Sequence, residues 1–217
     1  MSDDSSPESP STEVIREGWP VKLRGVTESV VTTLGPNGLW NVAALGLFAP
    51  DEEIDVGERT PIRARTWGNT RTRRNFHREG GGVVQFTSDP REFADATLTI
   101  REEETPVLPG ADAWVRVTAD RVDGGTEGET RWEEWELQPV EGAIVDRRPF
   151  TVDRAFAAVI EATVAASRLD VDAYDEATML DRLRYFDEVV EKCGGPRTKE
   201  AMETIDRETG WRDRIDG

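Results

Sequence analysis

The run from Glu28 to Phe48 reads ESVVTTLGPNGLWNVAALGLF. Its first half, Glu28–Leu34, is rich in β-branched residues, whose stiff side chains favour extended backbone. Gly35-Pro36-Asn37-Gly38 then interrupts it with the residues that let a chain reverse direction. Leu39–Phe48 returns as a second apolar strand. The pattern is that of a β-hairpin, and it makes the first half of the chain β rather than helical.

Further strands follow outward from the hairpin. Ile62–Trp67 alternates weakly and Gly82–Thr87 is apolar, while Thr97–Glu102 reads as a fifth strand or a short element. Ala113–Asp120 and Thr130–Gln138 are strands, with Asp123-Gly124-Gly125 as the turn between them. Several short antiparallel strands with turn punctuation suggest a barrel or a sandwich. After Pro149 the apolar period becomes helical. Asp153 caps a helix running to Leu169, with Phe156, Val159, Ile160, Thr163 and Val164 at helical spacing. A second helix from Asp172 turns Ala177, Leu180, Leu183, Phe186 and Val190 to one face and stops at Gly194-Gly195-Pro196. A third runs from Pro196 to Glu208 with Ala201 and Ile205 inward. The chain is therefore expected to be α+β, with an acidic, Ser/Pro-rich disordered tail over residues 1–15, a β domain over 16–148 and a three-helix part over 149–217.

Charge narrows the function. The chain has 217 residues, with 44 acidic against 27 basic side chains and a net charge of −17. Such a field repels nucleic acid and anionic membranes. Lysine occurs only at Lys22, Lys192 and Lys199, the other cations being arginine. This composition resembles proteins of salt-accumulating archaea, in which ionic strength screens carboxylate repulsion. Cys193 is the one cysteine and His77 the one histidine, so disulfides within the chain and Cys- or multi-His metal sites are excluded. Cys193 follows Val189 and Val190 near a helix end and reads as a small buried hydrophobe. No apolar run reaches the roughly 20 residues needed to span a bilayer, and no signal-peptide core is seen. The expectation is a cytoplasmic protein.

Against that acidity one stretch differs. Arg63–Arg78 reads RARTWGNTRTRRNFHR, with no carboxylate in it. Gly68-Asn69-Thr70 is a turn after a strand, and Thr70–His77 begins a short helix. A strand–turn–helix start presents unpaired backbone N–H groups to an anion. The Thr70 and Thr72 hydroxyls and the Asn69 and Asn75 amides add neutral donors, and arginine adds bidentate bonds. The implied chemistry is recognition of a phosphate ester. The alternative is that Thr70 or Thr72 merely caps the helix while the arginines pair with carboxylates elsewhere. Both stand on these residues alone. Elsewhere, Trp132-Glu133-Glu134-Trp135-Glu136 reads as the solvated face of an acidic strand. His77 reads as a phosphate-side donor or a surface residue. Trp67 suits ring stacking or a core or interface place equally, and Arg154 answers to a carboxylate or to a ligand. No Ser-His-Asp set, Walker loop or G-x-G-x-x-G fingerprint is present, and no catalytic residue is assigned.

The order of motifs carries a resemblance. Val30-Val31-Thr32-Thr33, Gly38, Asn41, Ala43-Ala44 and Gly46 come first. Gly68, Thr72 and Asn75 follow, then Val83-Val84-Gln85-Phe86-Thr87-Ser88-Asp89. Asp153-Arg154-Ala155, Ala158–Ala162 and Ser167-Arg168-Leu169 complete the set. Together they resemble an archaeal uncharacterised-protein family related to the flavin reductase-like FMN-binding split barrels. The resemblance implies an antiparallel split β-barrel, a homodimer with FMN at or near the subunit interface, and a flavin reductase-like oxidoreductase of unspecified substrate, with NADH or NADPH as candidate donor. A non-catalytic FMN-binding or sensing module is the alternative, and a phosphate or nucleotide module for another ligand the third reading. The resemblance places the FMN phosphate by the Gly68–Asn75 turn and the isoalloxazine near Asn41 to Gly46. The expected cofactor-binding set is Asn41, Ala44, Gly46, Arg65, Gly68, Asn69, Thr70, Thr72 and Asn75. Two positions depart from the family pattern, which has proline near Ala44 and asparagine where Gln85 stands.

Overall fold

The structure is a computed structural model and describes residues 13–15, 17–147, 151 and 153–216. Residues 1–12 of the expected acidic tail lie outside the described residues. The remainder of that segment, Glu13–Ile15, forms strand β1.

β2 (Val26–Leu34) and β3 (Trp40–Phe48) make the expected hairpin, in unbroken register from Val26↔Phe48 to Leu34↔Trp40. Gly38 takes φ 80°, a left-handed conformation that favours glycine. The chain continues through β4 (Ile62–Trp67), α1 (Arg71–Glu79), β5 (Gly81–Phe86), α2 (Pro90–Leu98), β6 (Arg101–Glu103), β7 (Ala113–Glu127) and β8 (Thr130–Ile144). Strands pair in the order β8-β4-β3-β2-β5-β7, and β7 pairs back to β8. The result is a six-stranded antiparallel barrel, with β1 added on β8 and β6 on β3. Alternate residues point inward. Val31, Leu45, Leu47, Ala64, Val84, Val115, Trp135 and Leu137 fill the interior, and Phe76 of α1 joins them.

Closure is incomplete between β3 and β4. β3 pairs with β4 only at Leu47 and Phe48, and with β6 only from Trp40 to Val42. Over Ala43–Gly46 that edge of β3 has no strand partner among the described residues. This is the split in the barrel.

The helical part comprises α3 (Arg154–Ala166), α4 (Glu176–Cys193), α5 (Pro196–Thr209) and a short α6 (Trp211–Asp216). Asp153 caps α3 as expected, its carboxylate accepting from Ala155 and Phe156 N–H at 2.9 and 3.0 Å. The alanine face of α3 packs with Leu183, Val190, Ala201, Met202, Ile205 and Trp211. Phe156 and Ile160, on another face of α3, meet Val30, Val42, Phe93 and Ala96 on the outside of the sheet. α2 and α3 thus fasten the helices to β2 and β3.

Several expectations need correction. Residues 90–98 form a helix, and Arg101–Glu103 is the short strand within the expected fifth element. Asp89 caps α2 and Pro90 opens it, a helix-start pair. Asp123-Gly124-Gly125 is not a turn but lies within β7, beside a register shift; a Cβ on Gly125 would stand 3.0 Å from the Trp132 ring. The reversal comes at Gly128, with φ 58°. The C-terminal part has a fourth helix, α6, whose Trp211 is buried. Ala177 is exposed, and Met179 and Val189 take places on the buried face of α4. Cys193 is exposed rather than buried: it is in phase with Val189 and Val190 but is the last residue of α4. Gln85 is satisfied internally. Its amide donates to the Pro106 carbonyl at 3.0 Å and accepts from Leu108 N–H at 2.7 Å, pinning the loop after β6.

Candidate functional site

The turn after β4 is built locally. Gly68 takes φ 65°, and its N–H donates to the Arg131 carbonyl at 2.7 Å. Thr70 is the N-cap of α1, its hydroxyl accepting from Arg73 N–H at 3.3 Å. Helix geometry leaves the N–H groups of Arg71 and Thr72 without intrahelical acceptors, at the positive end of the helix dipole. No acidic residue occupies the first turn. For an anion, this helix start is open.

It opens into a cavity of about 490 Å³ that fills the split. One wall is β3 from Asn41 to Leu45, with its unpaired edge. The second is Arg65, Thr66 and Trp67 of β4, running on through Asn69, Thr70, Arg71, Thr72 and Arg74. The third is the end of α2 with Thr99 and Ile100. The volume lies in the range of about 300–1,000 Å³ usual for cofactor and small-molecule sites. Trp67 and Ile100 are 42% and 81% exposed, so the mouth is apolar. A second cavity of about 420 Å³ shares Asn41, Arg71 and Arg74 with the first.

Of the expected set, Asn41, Ala44, Arg65, Asn69, Thr70 and Thr72 line the main cavity. Asn75 lines the adjoining one, and is held by Thr33, to whose hydroxyl its amide donates at 3.0 Å. Gly68 shapes the turn without lining either cavity. Gly46 lies at the far end of the unpaired β3 edge, against Val26 and Glu28.

The arginines divide. Arg63 and Arg65 stand opposite Glu136 and Glu134 across the β4–β8 ladder, with ion pairs of 3.2 and 3.1 Å. Arg71 pairs with Glu102 at 3.0 Å and Arg73 with Glu133 at 3.0 Å. Arg78 pairs with Glu79 at 2.7 Å. Arg74 has no carboxylate partner among the described residues; it donates to the Asn69 carbonyl at 2.7 Å and lines both cavities. Arg65 also has a buried Nε with no hydrogen-bond partner, and its guanidinium lies 4.4 Å from the Trp132 ring centroid and 5.7 Å from that of Trp67. The site therefore offers to an anionic group a helix N-terminus and a guanidinium with no carboxylate partner among the described residues, and to a flat polar ring a strand edge beside apolar walls.

Glu133 departs from its sequence reading. Glu134 and Glu136 are partly exposed, but the Glu133 side chain is 1% exposed, with Arg73, His77, Arg121 and Arg131 around it. His77 is accordingly committed to Glu133, at 2.7 Å, and lines neither cavity. Among the described residues Arg154 meets neither a cavity wall nor a carboxylate, its guanidinium donating to Cys193 Sγ at 3.8 Å.

Fold and site together define an α+β split-barrel protein with an anion-ready cavity in the split. The chain belongs to the DUF447 family of proteins of unknown function, matching its N-terminal domain over residues 27–146 and its C-terminal part over 153–207. It is similar to an FMN-bound DUF447 protein from Methanosarcina mazei, with TM-score 0.68 and 24% identity, over 86% of this chain and 96% of that one. Weaker likeness extends to nitrilotriacetate monooxygenase component B from Bacillus cereus, with TM-score 0.40, 18% identity, and 57% and 71% of the two chains. It extends also to the flavin reductase HpaC complexed with NADP+, with TM-score 0.36, 14% identity, and 57% and 81% covered.

Proposed function

We propose that the cavity in the split holds FMN and that the protein is a flavin reductase-like flavoprotein. One observation carries this reading: the open start of α1 and the Arg74 guanidinium, which has no carboxylate partner among the described residues, converge at one end of a cavity whose long wall is a strand edge left without a strand partner among them. A dianionic phosphate suits the first end, and the polar rim of an isoalloxazine suits the second. The FMN-bound relative of the same family supports the choice of flavin. The α1 N–H groups, Thr70 and Arg74 would hold the phosphate. Asn41 and the backbone of Ala43–Leu45 would orient the ring, with Arg65 and Trp67 facing it from β4. When bound, FMN supplies the redox chemistry, so no protein nucleophile is required. Ile100 and Trp67 would exclude water from the ring, more fully if a second copy of the chain covered them, which favours a homodimer. NADH or NADPH is the donor class, and the acidic surface suits a saline cytoplasm.

The chain purified in high salt is expected to be yellow, or to bind added FMN with quenching of flavin fluorescence and to bind riboflavin more weakly. A colourless chain indifferent to FMN would sink the reading. Bleaching of the bound flavin by NADH or NADPH, followed by turnover of an acceptor, identifies an enzyme; inert flavin identifies a binding or sensing module.

A further inference from the structure

We infer that Glu133 is the positioning residue of the phosphate clamp, fixing the turn at Gly68–Thr70 through Arg73 without touching the ligand. The inference rests on the FMN reading. Both carboxylate oxygens of Glu133 are engaged. Oε2 lies 3.0 Å from Arg73 Nε, an ion pair without hydrogen-bond alignment, and 2.7 Å from His77 Nε2, both on α1. Oε1 lies 2.8 Å from Arg131 Nη2 on β8 and 3.5 Å from Arg121 Nε on β7. One buried anion thus ties the cavity helix to the strands that close the barrel.

The link to the clamp runs through Arg73. Its Nη1 donates to the Gly68 carbonyl at 2.8 Å, and its own N–H is the one that Thr70 caps. The Gly68 N–H meanwhile donates to the carbonyl of Arg131, itself a Glu133 partner. Gly68 is therefore gripped on both sides, its carbonyl by the Arg73 side chain that Glu133 pairs with and its N–H by the β8 main chain two residues before Glu133. The turn it fixes aims the α1 N–H groups into the cavity. Glu133 lines neither cavity, so its effect on a ligand passes through these contacts.

Energetics favour this role over plain stabilisation. Removing a carboxylate from water is costly, and a well-packed apolar side chain often serves stability as well or better at such a place. An apolar side chain could fill the barrel end, but it could not orient Arg73. Burial pushes the Glu133 carboxyl up, yet the His77 hydrogen bond and the charges of Arg73, His77 and Arg131 outweigh this and hold it below the usual carboxylate range. It is therefore an anion wherever the protein is folded near neutrality.

The experiment compares affinities for FMN and riboflavin, which share a ring and differ in the phosphate. In Glu133→Gln, FMN affinity should fall about tenfold, a loss of about 1.4 kcal/mol, with riboflavin affinity unchanged. Arg73→Met, which cuts the same link while leaving the carboxylate Arg121, Arg131 and His77, should give the same collapse of the ratio and decides the matter if Glu133→Gln fails to fold. Hydrogen exchange without ligand should quicken at residues 68–74 in either variant and not in α3–α5. An unchanged FMN-to-riboflavin ratio overturns the inference, as does an equal loss for both flavins. If the parent chain binds neither flavin, the FMN reading falls, and unchanged exchange at 68–74 would then overturn the positioning role by itself.

Discussion

Arg74 is the residue on which the two readings of the arginine stretch part. Its neighbours are spent on carboxylates, as Arg63 on Glu136 and Arg71 on Glu102, so the salt-bridged alternative is right for most of the stretch. Arg74 is exposed and unpaired among the described residues, and it faces the cavities. Hydrogen bonds to charged groups contribute about 1.5–3 kcal/mol. Arg74→Ala should therefore weaken FMN binding about tenfold or more by fluorescence titration. Stability should move by no more than about 0.5 kcal/mol, the usual effect at a surface site. Unaltered FMN affinity would remove Arg74 from the clamp. Thr70, Thr72 and Asn69, which the sequence offers as ligand contacts, line the main cavity, because turn and cap chemistry are local. Sequence reasoning missed Glu133, whose burial depends on cations contributed by α1 and β7. A signal was available: Glu133 is in phase with Trp135 and Leu137, at i, i+2 and i+4, and so belongs to the inward face.

Among the elements, the hairpin of β2 and β3 was legible because β-branched runs and a Gly-Pro-Asn-Gly turn act over short range. α2 was not read, although Asp89-Pro90 signals a helix start, because a nine-residue helix burying only Pro90, Phe93, Ala94 and Ala96 shows little helical period. The pairing of β4 with β8 was beyond local reading. Arg63↔Glu136 and Arg65↔Glu134 join residues far apart in the chain, and only the barrel brings them opposite. Where α3 meets the sheet, Glu28 of β2 faces Glu161. Burial first, and then the Glu161 charge, raise the Glu28 carboxyl above its ordinary range. A carboxyl that binds its proton more tightly when folded costs stability above its ordinary pKa, and the cost disappears as pH falls to that range. Glu28→Gln should thus raise the thermal midpoint at pH 7–8 and lose the advantage toward pH 4. An equal gain at both pH values would mean that packing, not charge, was responsible.

The whole molecule carries −17, and this sets its response to salt. The many exposed ion pairs are individually worth about 0–1 kcal/mol and weaken as ions screen them. General repulsion among 44 carboxylates weakens too, and with so large an imbalance it is the larger effect. Raising KCl from about 0.1 M to about 1 M shortens the screening length from about 10 Å to about 3 Å. The thermal midpoint should climb, by about 2–4 °C for each kcal/mol of relief in a chain of this size. A falling midpoint would show that the ion pairs dominate instead. No helix among the described residues is long and apolar enough to cross a bilayer.

The exposed end of α4 has a practical consequence. Cys193 is the one thiol in the chain, it is open to reagents, and it stands apart from both cavities. A maleimide dye or nitroxide would attach once per chain, with no mutagenesis. Two labelled copies would then report a single spin–spin distance, so the architecture of an assembly can be measured with the native sequence untouched.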